Sequence, residues 1–417
     1  MTPGDPSTRQ DAAAGAAPPH GSGDGAPGGG PPAAGVKFSR ALLALILGQI
    51  ALHACMAGVR MAAPLQALHA GHSTWTVGLL LALFALALVL LALPAGRMAD
   101  RHGYHRPLRL AVALSFGGGL VAVASDHYLA MCVAAMMTGA GANIGLITIQ
   151  RTAGHMARDS TERIRIFSWL GLAPALSNAV GPVVAGLLID GAGFRAAFAA
   201  LALMPLAALG WSRFVPPEVP AAAASPAGEA GPRPRSWDLL RDPALRRLLM
   251  VNWLVSASWD VHAFALPVLG HERGFSASAI GGILGVFAIS VAAVRVLIPL
   301  LAHRLREATV LAAAMALVAA VFAVYPLVHA AWLMGVCAVL LGIALGAVQP
   351  MVMSMLHHVT PSARHGEVIA LRSMTLNLSS TLMPLLFGAT GAAVGAGSLF
   401  WVMGLLVGTG SFRARRL

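Results

Sequence analysis

Apolar stretches of roughly twenty residues recur along almost the whole chain, each long enough to cross a bilayer as a helix. They lie near 41–66, 75–97, 107–125, 128–151, 165–189 and 195–214, and again near 246–269, 278–301, 309–328, 331–356, 366–391 and 396–412. The repeat predicts an all-α membrane protein with twelve transmembrane helices. The chemistry of the rest of the chain agrees. Of 417 residues, 57% are hydrophobic and 11% are charged, against roughly 25% charged in a soluble domain. So few charges cannot cover the surface of a soluble protein this large, which excludes a cytosolic enzyme and a chain that is disordered throughout.

The segments outside these stretches divide the chain. Residues 1–36 contain 24 Ala, Gly or Pro residues, a composition that cannot bury a core. The expectation is a disordered tail over 1–37, six helices over 38–215, a Pro- and Ala-rich linker over 216–243, six more helices over 244–412 and a basic tail over 413–417. The formal net charge is +12, with 27 arginines and one lysine. Arginines cluster in alternate turns: Arg97, Arg101, Arg106, Arg151, Arg158, Arg304, Arg364 and Arg372, with Arg213, Arg241, Arg246 and Arg247 around the linker. The opposite turns carry only Arg195 and Arg273. That asymmetry puts both termini and the linker on the cytoplasmic side. These arginines are not interleaved with aromatics, so nucleic acid is not an expected partner. The Ala-, Gly- and Arg-rich composition suits a bacterial inner (plasma) membrane.

Two halves repeat one pattern. Pro182-x-x-x-Gly186 in the fifth stretch returns as Pro384-x-x-x-Gly388 in the eleventh, 202 residues later. Ala99-Asp100-Arg101 faces Ala302-His303-Arg304 at an offset of 203. Two pseudo-symmetric six-helix bundles joined by a linker form the plan of carriers whose site lies between repeats. Both halves are in one chain, so a monomer suffices.

The loop after the second stretch reads Gly96-Arg97-Met98-Ala99-Asp100-Arg101-His102-Gly103-Tyr104-His105-Arg106-Pro107-Leu108. It resembles the G-x-x-x-D-R-x-G-R-R/K-x-x-L signature of the major facilitator superfamily. Gly96, Asp100, Arg101, Gly103 and Leu108 match, while the basic pair is displaced to Arg106. The resemblance implies a cytoplasmic gate motif that latches the outward-facing state. Gly181-Pro182-Val183-Val184-Ala185-Gly186 is similar to the family's antiporter signature, G-P-x-x-G-G, which implies proton-driven export. The arginine that such exporters often carry in the fourth helix is missing from 135–143.

Charged and polar side chains inside the stretches mark candidate sites, because they are costly in lipid and usually face a cavity. Asp260 is the acidic residue set deep in a stretch. It is the candidate proton-coupling residue, with His262 beside it, or else a fixed partner for an arginine. Two residues apart, the pair faces different sides of one helix. Gln49, His53, Met56 and Arg60 form a polar stripe at helical spacing, expected on a cavity wall, although Arg60 at the outer half is also placed to snorkel to the surface. Asn143, Arg295, Gln349 and Asn377 are further substrate-cavity candidates. Asp190 reads as a cap or interfacial charge. Cys55, Cys132 and Cys337 are scattered, and the loop histidines His357, His358 and His365 read as solvated, so no metal is expected.

These features point to a secondary transporter of small molecules and not to an enzyme. No G-x-x-x-x-G-K-S/T phosphate loop is present, which leaves an ion gradient, protons first, as the energy source and no cofactor. The leading expectation is proton-coupled efflux by antiport of drugs or metabolites. Proton-coupled uptake of an organic anion or other small metabolite is the alternative, and a non-transporting membrane sensor or membrane-embedded enzyme is a third reading.

Overall fold

The computed structural model describes residues 39–157, 160–217, 236–301, 306–360 and 365–414. The expected tail 1–37, most of the linker, Ala302-His303-Arg304 and the side chains of His357, His358 and His365 lie outside that description. The described chain is helical. In the first half it runs α1 (Arg40–His69), α2 (Thr74–His102), α3 (His105–Ala124), α4 (Tyr128–Met156), α5 (Ser160–Leu170) and α6 (Leu172–Ser212). A 3-10 turn (Ser236–Arg241) leads into α7 (Pro243–Glu272), α8 (Ala277–Leu301), α9 (Glu307–Val324), α10 (Ala331–Val359), α11 (His365–Val394) and α12 (Ala396–Ala414).

Local chemistry sets the ends. The Ser39 hydroxyl accepts from the Leu42 amide at 3.1 Å and opens α1. Asp242 accepts from the Ala244 amide at 2.8 Å, with Pro243 at the first position of α7, the arrangement an N-terminus favours. Gly103 closes α2 at φ 66° and Gly193 breaks α6 at φ 86°, conformations that a side chain strains. The break at Gly193 divides α6 into two crossings, 172–192 and 194–212. With α5 leading into the first of these, the twelve expected crossings are all present. α12 runs through 413–414, so the helix continues into the stretch expected as a basic tail.

Within the first half, α1 is sandwiched between the two crossings of α6. A Cβ on Gly58 would lie 2.3 Å from Leu201, and one on Gly181 would lie 2.3 Å from the Ala54 carbonyl. Between helices in lipid, small residues give van der Waals packing that replaces a hydrophobic drive. Large apolar side chains such as Leu129, Leu203, Trp332 and Leu405 stay exposed, an outer surface that suits hydrocarbon.

The halves meet along two seams related by the internal repeat, α6 with α8 and α2 with α11. In the first, the Pro182 carbonyl sits 2.3 Å from where a Cβ on Gly281 would stand, and a Cβ on Gly186 would lie 2.4 Å from the Ala277 carbonyl. In the second, the Pro384 carbonyl sits 2.3 Å from a Cβ on Gly78, and a Cβ on Gly388 would lie 2.9 Å from the Thr74 carbonyl. Both seams lie toward the end of the bundle remote from the chain termini. Asp190, in the last turn of the first α6 crossing, accepts from the Ala277 and Ser278 amides at 3.0 and 2.7 Å. It caps the first turn of α8 across the interface, where the helix dipole favours an anion.

Gly78→Leu and Gly281→Leu would each force these backbones apart. Overpacking of this kind costs about 1–3 kcal/mol, so each variant is expected to reach the membrane normally and to slow transport by roughly tenfold. Wild-type rates in reconstituted vesicles for both variants would contradict the packing described.

Candidate functional site

A cavity lies between the halves. One lobe, of about 270 Å³, is lined by Arg60 of α1, Asn252, Ser256, Trp259 and Asp260 of α7, Arg295 of α8, Gln349 of α10 and Ser380 of α11. A second lobe, of about 210 Å³, is lined by His53, Met56, Arg60, Phe84, Asn143 and Ser380. A third recess, of about 50 Å³, lies by Arg60, Asn178, Trp259 and His262. Arg60 reaches all three. The larger volumes are of the order of small-ligand sites.

The sequence candidates separate cleanly on this geometry. Of the α1 stripe, His53, Met56 and Arg60 line the cavity. Gln49 is buried a turn away with its Oε1 unpartnered. Arg60 faces inward, and its Nε finds no hydrogen-bond partner. Asp260 is buried, and Ser379 Oγ donates to its Oδ2 at 3.5 Å. Asp260 belongs to the second half and Arg60 to the first. Each feels the other's charge across the cavity, so a Coulombic link bridges the halves. Arg295 and Gln349 line the first lobe and Asn143 the second.

Asn377 falls outside the lining described. α11 presents Leu376 and Ser380 to the lobe, four residues apart on one face, and Asn377 stands about 100° around from that row. His262 also turns away from Asp260. Its Nε2 lies 3.2 Å from the Tyr325 hydroxyl, and its ring packs at 4.5 Å from Phe287.

Arg372 is the residue that sequence reasoning placed wrongly. It was counted with the cytoplasmic arginines at a helix end, yet it is 8% exposed. Its guanidinium donates to Asn252 Oδ1 at 3.3 Å and to Gln349 Oε1, joining α11 to α7 and α10 at the cavity wall. The helix begins at His365, so Arg372 lies two turns inside it. The signal available was its partners: an Asn and a Gln inside apolar stretches are natural acceptors for a buried guanidinium.

The gate motif sits at the end near the termini. Arg151 Nε of α4 donates to Asp100 Oδ1 at 2.8 Å, a pairing within the first half. Gly103 supplies the turn, and Arg101 and Arg106 are exposed. Gly96 meets nothing within 4 Å of a notional Cβ, so in this state it provides no close approach. The antiporter-like residues Gly181, Pro182 and Gly186 lie instead in the α1–α6 and α6–α8 contacts described above.

Two repeated helical halves around a charged central cavity form the plan of a secondary carrier. The sequence matches the model of the Major Facilitator Superfamily over residues 45–256 and 248–414, and the chain belongs to that family. No curated protein matches it in sequence. Among solved structures it is similar to a POT family transporter in complex with a thioalcohol-conjugated peptide, at 13% identity and TM-score 0.73, covering 90% of this chain and 95% of that one. A POT family transporter in complex with 5-aminolevulinic acid gives 13% and 0.71, covering 91% and 96%. The human organic anion transporter MFSD10 (TETRAN) gives 18% and 0.64, covering 90% and 99%. These likenesses bear on the fold.

Removing the Arg372 side chain leaves the buried Asn252 oxygen unsatisfied, worth about 1–3 kcal/mol, and takes from the half-buried Gln349 its partner. Arg372→Ala is therefore expected to lower the melting temperature of the purified protein, with Arg372→Lys recovering part of the loss. Equal melting of Arg372→Ala and wild type would remove Arg372 from the cavity wall.

Proposed function

We propose that this chain is a proton-coupled secondary transporter of a small organic anion, with Arg60 and Arg295 as cargo contacts and Asp260 as the coupling group. The observation that carries the reading is the charge of the cavity. Two arginines line it, a third braces its wall, and among the described lining residues the one carboxylate is Asp260. A cationic cargo would meet an excess of like charge. An anionic one meets Arg60, whose buried Nε has no hydrogen-bond partner.

The coupling follows from competition. While Asp260 is ionised, it offsets the field of Arg60 from the other half. A proton on Asp260 removes that offset and frees Arg60 for the anion. Proton and anion are therefore bound together and move together. His53, Asn143 and Ser380 supply polar contacts in the adjoining lobe. His262, held in an aromatic recess, is the weaker of the two proton candidates. The cargo class rests on these arginines. The human organic anion transporter adds only that the same fold serves such cargo elsewhere.

Proton-driven export by antiport stands as a second reading, supported by the Gly181-Pro182 pattern. That pattern packs backbone against backbone at a seam, and its twin at Pro384 and Gly388 does the same. Its geometry is thus fully used by the seal, which leaves the cavity charge as the stronger guide. Both readings place the protein in a bacterial inner membrane with its termini in the cytoplasm.

The test is flux in proteoliposomes across a panel of small carboxylates, sulfonates and cationic drugs, with internal pH recorded. Anion uptake accompanied by acidification is expected. Arg60→Ala is expected to weaken anion binding by roughly tenfold or more, the effect of losing one charge-assisted contact. Asp260→Asn is expected to keep anion exchange and lose dependence on the proton gradient. Cation export against proton entry would replace this reading with antiport.

A further inference from the structure

His69 closes α1 and His271 closes α7, the first helix of each half. They are 202 residues apart, the offset that relates Pro182 to Pro384 and Gly186 to Gly388. The two are the same position in the repeat, and at the sealed end they meet. Their ring centroids are 4.6 Å apart, with the planes tilted by 55°. Phe194, just beyond the break in α6, packs edge-on to His69 at 5.4 Å. His69 Nδ1 lies 2.8 Å from the Leu65 carbonyl. That bond makes Nδ1 the protonated nitrogen and leaves Nε2 as the basic site. His69 is exposed and His271 half-buried, so protons reach both from solvent at that end.

Apart from Glu272, the charged groups around the pair are already engaged. Asp126 accepts from Gln66 Nε2 at 2.9 Å and from Arg195 at 3.4 Å. Asp190 is bound to the first amides of α8. Arg273, two residues beyond His271, donates to the carbonyls of Val328 and Pro326. His72 packs against Tyr128 with ring centroids 5.1 Å apart and planes tilted by 42°. Glu272, next to His271, is held above the usual carboxylate range by partial burial, which the charge of Arg273 partly offsets.

We propose that His69 and His271 form a proton-binding site that works as a latch on the sealed end, closed while at least one imidazole is neutral and released when both are protonated. The inference rests on the alternating-access reading but not on the cargo. Burial, with His69 opposite, holds the His271 imidazole below the ordinary histidine value. The sign is then fixed. The sealed state binds the second proton more weakly than a state in which the helix ends have parted. Acidification through the histidine range therefore draws the protein toward the state open at this end. Alkaline conditions favour the seal.

The experiment measures the gap directly. Nitroxide labels at Ala124→Cys and Leu327→Cys, one at this end of each half, are placed in a background free of Cys55, Cys132 and Cys337. Distances are read by electron spin resonance in lipid nanodiscs, where both faces meet one pH and no cargo is needed. Between pH 7.5 and 5.5 the longer-distance population is expected to grow at least about threefold. The response should persist in Asp260→Asn and flatten in the double variant His69→Phe, His271→Phe, which keeps the rings and loses the charge. His69→Lys with His271→Lys is expected to be open already at pH 7.5. If the pH response survives the Phe pair, or vanishes with Asp260→Asn, the latch is overturned. Either result leaves the anion-transport reading to its own flux test.

Discussion

Backbone carbonyls pressed against glycines hold the two halves together. At Gly281 and Gly78 the opposing proline carbonyl occupies the place of a side chain, and no larger residue fits without moving a helix. Hydrophobic burial cannot drive helices together in lipid, because the lipid tails are as apolar as the side chains. Shape does the work instead, through close dispersion contact over two short seams. Such contacts are strong when seated and vanish over an ångström or two. A joint of that kind has two states and little between them, which is what a carrier requires of its gate.

The cavity beneath the seal obeys the opposite rule. Charges in a region of low dielectric are costly unless something answers them, and here the answers are distributed between the halves. Arg372 is bound within the second half by Asn252 and Gln349, and it serves the architecture. Arg60 and Asp260 answer one another only at a distance, across the interface. Their field therefore spans the interface between the halves.

Much of the fold was legible in the sequence because bilayer thickness imposes a length and a composition on every crossing. The repeat at 202 residues was equally plain, since Pro182/Gly186 and Pro384/Gly388 carry it in residues that have no substitutes at a close contact. The site was only half legible. Spacing of four and three put His53, Met56 and Arg60 on one wall, but it could not reveal that Gln49 falls below the cavity or that α11 turns Ser380 inward in place of Asn377. Nor did charge alone distinguish Arg372 from its neighbours at the helix ends, because the positive-inside rule counts arginines without asking how deep each is buried.

The two seams are alike in glycine and proline but unequal in polar chemistry. Asp190 ties the α6–α8 seam with two charge-assisted bonds to the first turn of α8. Across α2–α11 the matching tie is the Thr74 hydroxyl reaching the Gly388 carbonyl at 3.4 Å. One edge of the joint is thus fastened and the other merely closed. The α2–α11 edge is therefore the weaker of the two in polar ties, and Phe84 of α2, on that edge, also lines the lobe that holds Asn143.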